Sequence, residues 1–465
     1  NQGKKMKKII FALAVVLIAV FGVAFYGSSK AKESYDRGVT RLTSETLKLG
    51  FFNIKANAVE NDYDKGLFSS RAVLKLELTD GNDPIKFEAK TTLKHGFVEL
   101  FGGFKAHSDV KALTPEAALY LKTIFGTDEF LSVDALIKFD KTRDVTLNLA
   151  DIKTNENDSS FVISKPFAKA QIKENKIKSL EIGVGKIGGG DTDGTDKVDI
   201  ENASALIELN DFKSFDDLIS FINIQTAYEN IAKIGLKADK MSFNSAKGYD
   251  FPKSVGITGM SFLAQIKQNA DANLLDTLTD ASLGALDVDG KKVLEQLNLS
   301  LNEKNVNKEA MAMYVTDPKE SALYKILMSK NYVMEIKNFS FKNPNGKELK
   351  FNAVADASGL GAESKTLHDD VDIQTALKAV KFDGEIKVQA ASITEFLSAY
   401  KGLMADSDFN QMMDGIKPFE ERVNSLFAKD GEYMSAKFKH DVGSDDLLVN
   451  DKISLKEFIM SLMAN

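Results

Sequence analysis

Residues 9–26 of this chain, from Ile9 to Tyr26, form an apolar run of eighteen residues without a charge. As a helix rising about 1.5 Å per residue, the run is roughly 27 Å long, close to the hydrocarbon thickness of a bilayer. Lys4, Lys5, Lys7 and Lys8 stand immediately before it. A cleaved signal peptide needs an apolar core of about 7–15 residues and a small-residue exit. This core is longer and leaves through Phe25, Tyr26 and Gly27, with Ser29-Lys30-Ala31 as a weak cleavage site. The run therefore reads as a retained anchor, with cleavage as the alternative. Lys30, Lys32, Arg37 and Arg41 dilute the charge asymmetry that sets orientation. The tighter N-terminal cluster favours the N-terminus inside and the bulk of the chain outside.

The remainder has the composition of a folded protein: 43% hydrophobic and 27% charged residues, which excludes a disordered chain. A net charge of −7 argues against a nucleic-acid partner, which calls for a basic domain or stripe. With no cysteine, disulfides, thiolate metal sites, thiol nucleophiles and a lipoprotein anchor are all excluded.

The patterning divides the chain into four segments. Residues 1–27 are the basic tail and anchor. Residues 28–50, with Val39, Leu42 and Leu47 among polar neighbours, read as a stalk helix ended by Gly50. Residues 51–250 and 251–465 are two β-rich halves, the second with C-terminal helices, and Lys247-Gly248-Tyr249-Asp250-Phe251-Pro252 is the junction. Ala72, Leu74, Leu76 and Leu78 alternate with Val73, Lys75 and Glu77. After the turn 80–84, Ile85, Phe87, Ala89, Thr91 and Leu93 alternate with lysines and polar residues. That is an antiparallel hairpin with one wet face. The pattern returns at Val145-Leu147-Leu149, Leu180-Ile182-Val184, Leu349-Phe351-Ala353 and Ile386-Val388-Ala390, while residues 333–341 change parity midway, as a bulge would.

Helical spacing marks the cover. Thr114-Pro115-Glu116 opens a helix through Phe125, Ser214 caps one carrying Phe215, Leu218, Ile219 and Ile222, and Asp317-Pro318 opens another through Leu327. Residues 393–404, 409–427 and 455–463 repeat apolar residues at i, i+3 and i+4, the last after a Ser454 cap. The expected class is α+β: an N-terminal transmembrane helix, then a large, mainly antiparallel sheet covered by amphipathic helices.

Chemistry is harder to find. Gly183-Val184-Gly185-Lys186-Ile187-Gly188 fits G-x-G-x-x-G, but the mechanism needs a helix N-terminus next. The residues that come next, Gly189-Gly190-Asp191-Thr192-Asp193, make an acidic loop that repels phosphate. Asp191 to Asp196 lacks the glycine and glutamate register of a calcium loop, and residues 188–199 read as a surface loop. Asp287-Val288-Asp289-Gly290 reads as a turn before a helix at Val293. The four histidines, His95, His107, His368 and His440, show no metal-protease spacing, and Gly259-Met260-Ser261-Phe262-Leu263 lacks the second glycine of a nucleophile elbow. No catalytic, cofactor-binding or metal residue is assigned, and no cofactor is expected.

Four stretches carry a resemblance. Tyr63-Asp64-Lys65-Gly66-Leu67-Phe68-Ser69-Ser70 precedes a strand; His95-Gly96-Phe97 lacks two prolines of its counterpart; Asn343 to Ala353 is an Asn-x-x-Gly turn and the strand after it; and Val449-Asn450-Asp451-Lys452-Ile453-Ser454-Leu455-Lys456-Glu457-Phe458 lies near the end. Together they resemble the YdgA-like family of bacterial proteins of unknown function. The resemblance implies an inner-membrane anchor with the bulk of the chain in the periplasm, and it supplies no catalytic residue. The expected function is non-catalytic: a binding or scaffold protein of the cell envelope, with an apolar groove for lipid. A structural partner of a larger envelope machine and a hydrolase with dispersed carboxylates are the alternatives. Partners expected are the membrane through Ile9 to Tyr26 and a lipid or envelope protein, not nucleic acid; self-association is left open.

Overall fold

Alternating apolar residues can be buried only if the strands that carry them pair side by side, and they do. The computed structural model describes positions from Asp36 to Thr43 and most of residues 46–454. Outside the description lie residues 1–35, 95–103, 211–230, 246–251, 312–325, 359–377 and 455–465, with stretches of one to four residues elsewhere. The anchor run and the helices expected at 214–222 and 455–463 fall outside the described residues, as does nearly all of that at 317–327. Among the described residues no helix is long and apolar enough to cross a membrane. Two compact units are present: residues 1–194 with 198–219, and residues 195–197 with 220–465.

In the first unit, β1 (Thr46–Leu49), β2 (Phe52–Asp64), β3 (Ser69–Thr79), β4 (Ile85–Lys94), β5 (Phe104–Ala112), β6 (Glu129–Ile137) and β7 (Thr142–Leu149) pair in chain order, all antiparallel. β10 (Phe167–Lys173) lies on the other edge of β7 and leads to β11 (Lys176–Asp191). The hairpin of β8 (Ile152–Glu156) and β9 (Ser159–Ser164) joins the far half of β11. The expected β3–β4 hairpin keeps its parity: Leu76, Leu78, Phe87 and Leu93 are buried, and Lys75, Lys86 and Lys90 stand on the other side. Thr91 and Ser108 face each other within the apolar side and bond at 2.8 Å, so their buried hydroxyls satisfy one another. Helix α1 (Pro115–Phe125) covers one end, placing Phe125 5.7 Å from the buried Phe130. It stops at Gly126, which takes the left-handed φ of 69° that suits glycine.

The second unit is a meander: β13 (Ile231–Ser245), β14 (Ser254–Gln268), β15 (Leu274–Val288), β16 (Lys291–Asn307), β17 (Val333–Lys342), β18 (Glu348–Asp356) and β19 (Lys381–Val388), each antiparallel to the next. β21 (Tyr433–His440) follows β19, with β20 (Ala428–Asp430) and β22 (Leu448–Val449) on its other edge and β23 (Ile453–Ser454) beyond β22. Lys247 to Pro252 link β13 to β14, which pair along most of their length.

Several expectations change. Thr46–Leu49 is a strand paired with β2; among the described residues of 28–50, helix is seen at Asp36, Val39, Thr40 and Thr43. The segment after Asp289-Gly290 is strand β16, not a helix at Val293. Asp289 and Gly290 have φ of 51° and 71°, the paired left-handed turn that matches strand twist and closes a two-residue hairpin. Most of residues 188–199 is strand too, with only 192–194 between β11 and β12 (Asp196–Leu209) outside the description. The 393–404 helix divides into α2 (Ile393–Ser398) and a 3-10 turn, Lys401–Leu403. Ser392 caps its start: Glu395 N–H donates to Ser392 Oγ at 3.1 Å, and the Glu395 carboxylate reaches back one residue beyond the cap, Ala391 N–H donating to its Oε2 at 2.7 Å. Helix α3 (Asp406–Leu426) matches the 409–427 expectation, and β17 carries the expected irregularity, between Ile336 and Phe339.

Candidate functional site

Side chains of directly opposed residues in an antiparallel pair share a face. Leu236, Phe262, Ala281, Leu299, Phe339 and Phe351 are opposed one after another across β13 to β18, and Ile386 and Ala436 extend the row through β19 and β21. Two residues along on β13 to β16, and three on β17 across its irregularity, lies a parallel row of Ile234, Ala264, Thr279, Leu301 and Ile336. The opposite face is of another kind: Lys237, Ser261, Ser282, Asn298, Ser340 and Lys350 form its row. One side of this sheet therefore carries apolar rows from β13 to β18, whereas the row on the other is hydroxyl, amide and ammonium, with Leu263, Asp280, Leu278 and Glu335 in the rows beside it.

The two ends of the apolar face differ in burial. Val388, Met434 and Ala436 are buried, packed with Phe341, Leu349 and Ile386 beneath α2 and α3. Phe341 stands edge-on to Phe396 of α2 at 6.1 Å and to Phe339 at 6.0 Å. Lys291 Nζ donates to the carbonyl of Gly402, tying the 3-10 turn to the β15–β16 hairpin. Towards β13 the large side chains are only half-buried: Phe262, Leu283, Leu299 and Phe339 are intermediate, and Leu236 is 44% exposed. In the first unit the inward side chains Leu78, Val110, Val133 and Val145 are almost wholly buried.

A polar cluster closes one end. Glu303 lies on the apolar side, opposite Thr277, and its two oxygens accept from Thr277 Oγ1 at 2.8 Å and from the Tyr332 hydroxyl at 2.9 Å. Burial, with the Glu303 carboxylate beside it, raises the Tyr332 hydroxyl above its usual range and keeps it a donor.

The motifs weighed from sequence fall elsewhere. The glycines of G-x-G-x-x-G lie within strand β11. Gly183 is opposite Phe167 and Gly189 opposite Phe161. A Cβ on Gly183 would fall 2.5 Å from the Phe167 ring, and one on Gly189 would fall 3.1 Å from Phe161. These glycines make room for aromatic rings laid across the sheet, not for phosphate. His107 lies between Asp109 and Asp134, and His440 Nδ1 lies 2.7 Å from the carbonyl oxygen of Val380; His95 and His368 are outside the described residues. Among the described residues no group of three or more histidine or acidic side chains could hold a metal ion. The turns that carried the resemblance are architectural. Asn343 is fully buried, its Oδ1 accepting from Asn345 and Lys347 N–H and its Nδ2 donating to the Phe396 carbonyl. Asn450, left-handed at φ 51°, exchanges bonds with Lys437 and donates to the Leu426 carbonyl at the end of α3.

A family model described as "Bacterial protein of unknown function (DUF945)" matches residues 6–436, nearly the whole chain. No curated protein and no solved structure matches.

Proposed function

The chain belongs to the DUF945 family of bacterial proteins of unknown function, and from that premise we propose that it is a non-catalytic binding protein of the cell envelope that takes lipid on the apolar face of its second unit. Residues 9–26 hold it in the inner membrane as a single span, the N-terminus in the cytoplasm and the bulk in the periplasm, as in the YdgA-like proteins it resembles. The apolar face carries the reading. Rows of Leu, Phe and Ala cross six strands, and towards β13 their large side chains keep part of their surface in contact with solvent. Such surface gains about 25 cal/mol for each Å² removed from water. Backbone groups in the interior of the sheet are already spent on the ladders, so the face recognises by shape and apolarity. A tether is what such a surface requires, because lipid is concentrated where the anchor lies.

Purified full-length protein, freed of excess detergent, is expected to carry lipid at a fixed ratio in native mass spectrometry. Leu299→Asp and Phe339→Asp, each placing a charge on the face, are expected to lower that ratio. Equal lipid in wild type and both variants would sink the proposal.

A further inference from the structure

The apolar face is longer than any one unbroken strand pattern could make it. On β17, Ser340 and Lys342 are two apart and share the polar side. Their partners on β16 are Asn298 and Glu295, which therefore share that side although they are three apart. Between them Gln296 is left-handed at φ 51°. An extra residue of this kind is a β-bulge, and it turns the alternation over. The displacement is transmitted strand by strand. Glu295 and Asn298 oppose Ala285 and Ser282 on β15, which oppose Thr258 and Ser261 on β14. On β13, Ala238 and Met241 oppose Met260 and Ile257. The ladders step over Asp239, Gly259, Gly284 and Gln296. Gly259 is left-handed at φ 60°, and a Cβ on Gly284 would lie 3.0 Å from the Thr258 carbonyl oxygen. Each of the four adjacent strands carries one extra residue at this line, so the first three strand pairs keep their register through it and only β16 against β17 is shifted.

The line has a consequence for the face. Leu297, Leu299 and Leu301 form one panel, and at about 3.3 Å per residue it is about 13 Å long. Leu294 lies beyond the line with Leu286 and Ile257. In an unbroken strand these three would point to the polar side; the bulges return them to the apolar one. From Leu294 to Leu301 the strip is about 23 Å. An acyl chain that spans one leaflet, half of a core of roughly 30 Å, needs about 15 Å. One panel is too short for it and the two together are long enough.

We propose that this line of bulges joins two short apolar panels into one site for a long-chain acyl lipid, which lies along the strands and crosses the line. The proposal rests on the lipid-binding reading above and adds the class of ligand and the residues that set its length. Glu303, bound to Thr277 and Tyr332, bounds the strip at one end.

The test uses the full-length chain in membranes and a sixteen-carbon photoreactive fatty acid, with adducts mapped by peptide mass spectrometry. Wild type is expected to carry adducts on both sides of the line, near Leu286 and Leu294 and near Leu283 and Leu299. Gly259→Val, whose branched side chain resists a left-handed backbone, is expected to lose labelling beyond the line by about tenfold. Gly259→Asn, which tolerates that backbone, is expected to retain it. Unchanged labelling in Gly259→Val overturns the proposal and leaves lipid binding standing. Absence of adducts from wild type overturns both. If Gly259→Val loses its β-sheet circular dichroism, Gly284→Ala is judged by the same criterion.

Discussion

Both ring nitrogens of His107 meet carboxylates: Nδ1 lies 2.8 Å from Asp134 and Nε2 3.2 Å from Asp109. A neutral imidazole has one N–H and can satisfy only one of them; the imidazolium satisfies both. The Asp134 bond, with Asp109 adding to it and burial opposing, raises the His107 pKa above its ordinary value of 6.5. Thr92 faces His107 across β4, and Lys90 faces Asp109. The stabilisation is fully present below the unfolded pKa and is lost as pH rises through the raised folded value. The side chain is half exposed, so screening limits it to about 0.5 kcal/mol. His107→Gln is expected to melt below wild type at acid pH and level with it in alkali; a gap that does not change with pH would refute the bridge. Asn343 is the costlier site. Asn343→Ala removes three hydrogen bonds in a fully buried position and is expected to destabilise the second unit by about 2–3 kcal/mol in urea melts.

At the scale of the element, glycines and bulges decide what a strand can show. Gly183→Ala would drive a methyl group into the Phe167 ring and the Ala203 carbonyl, and overpacking of that kind costs about 1–3 kcal/mol. Phe167→Ala in the same chain should recover part of the loss, since the ring is what the glycine accommodates; strictly additive losses would count against the pairing. These elements also show what is legible in the sequence. The β3–β4 hairpin, β7, β18 and β19 keep an unbroken period of two, and the sequence shows them as they are. α1 and α3 announce themselves by Pro115 and by spacing. Strands β13 to β16 are hidden, because the apolar residues move from Leu236 and Ala238 to Met241, and from Met260 to Ile257, across a bulge that a fixed period cannot track. The same break hides the candidate face. Val293 reads as helix on its turn signal alone, when Asp289-Gly290 is as good a hairpin turn as a helix entry.

For the whole molecule, the expected arrangement is that of a tethered periplasmic body. Protease added to intact spheroplasts is expected to digest the chain beyond residue 26 and to leave an epitope tag at the N-terminus untouched; full protection of the body would refute that orientation. The meander of the second unit has a further consequence, for assembly. Each strand from β14 to β19 pairs with the one made just before it, so contacts are mostly between near neighbours in the chain, the condition under which folding is fast. The long connections from β16 to β17 and from β18 to β19 slow this little, because each doubling of a loop costs only about 0.6 kcal/mol in closure. Assembly can thus keep pace with synthesis, but at every stage the newest strand presents an open hydrogen-bonding edge. A chain that stalls at one of those two connections would leave that edge to recruit a stranger, and there the risk of aggregation is concentrated.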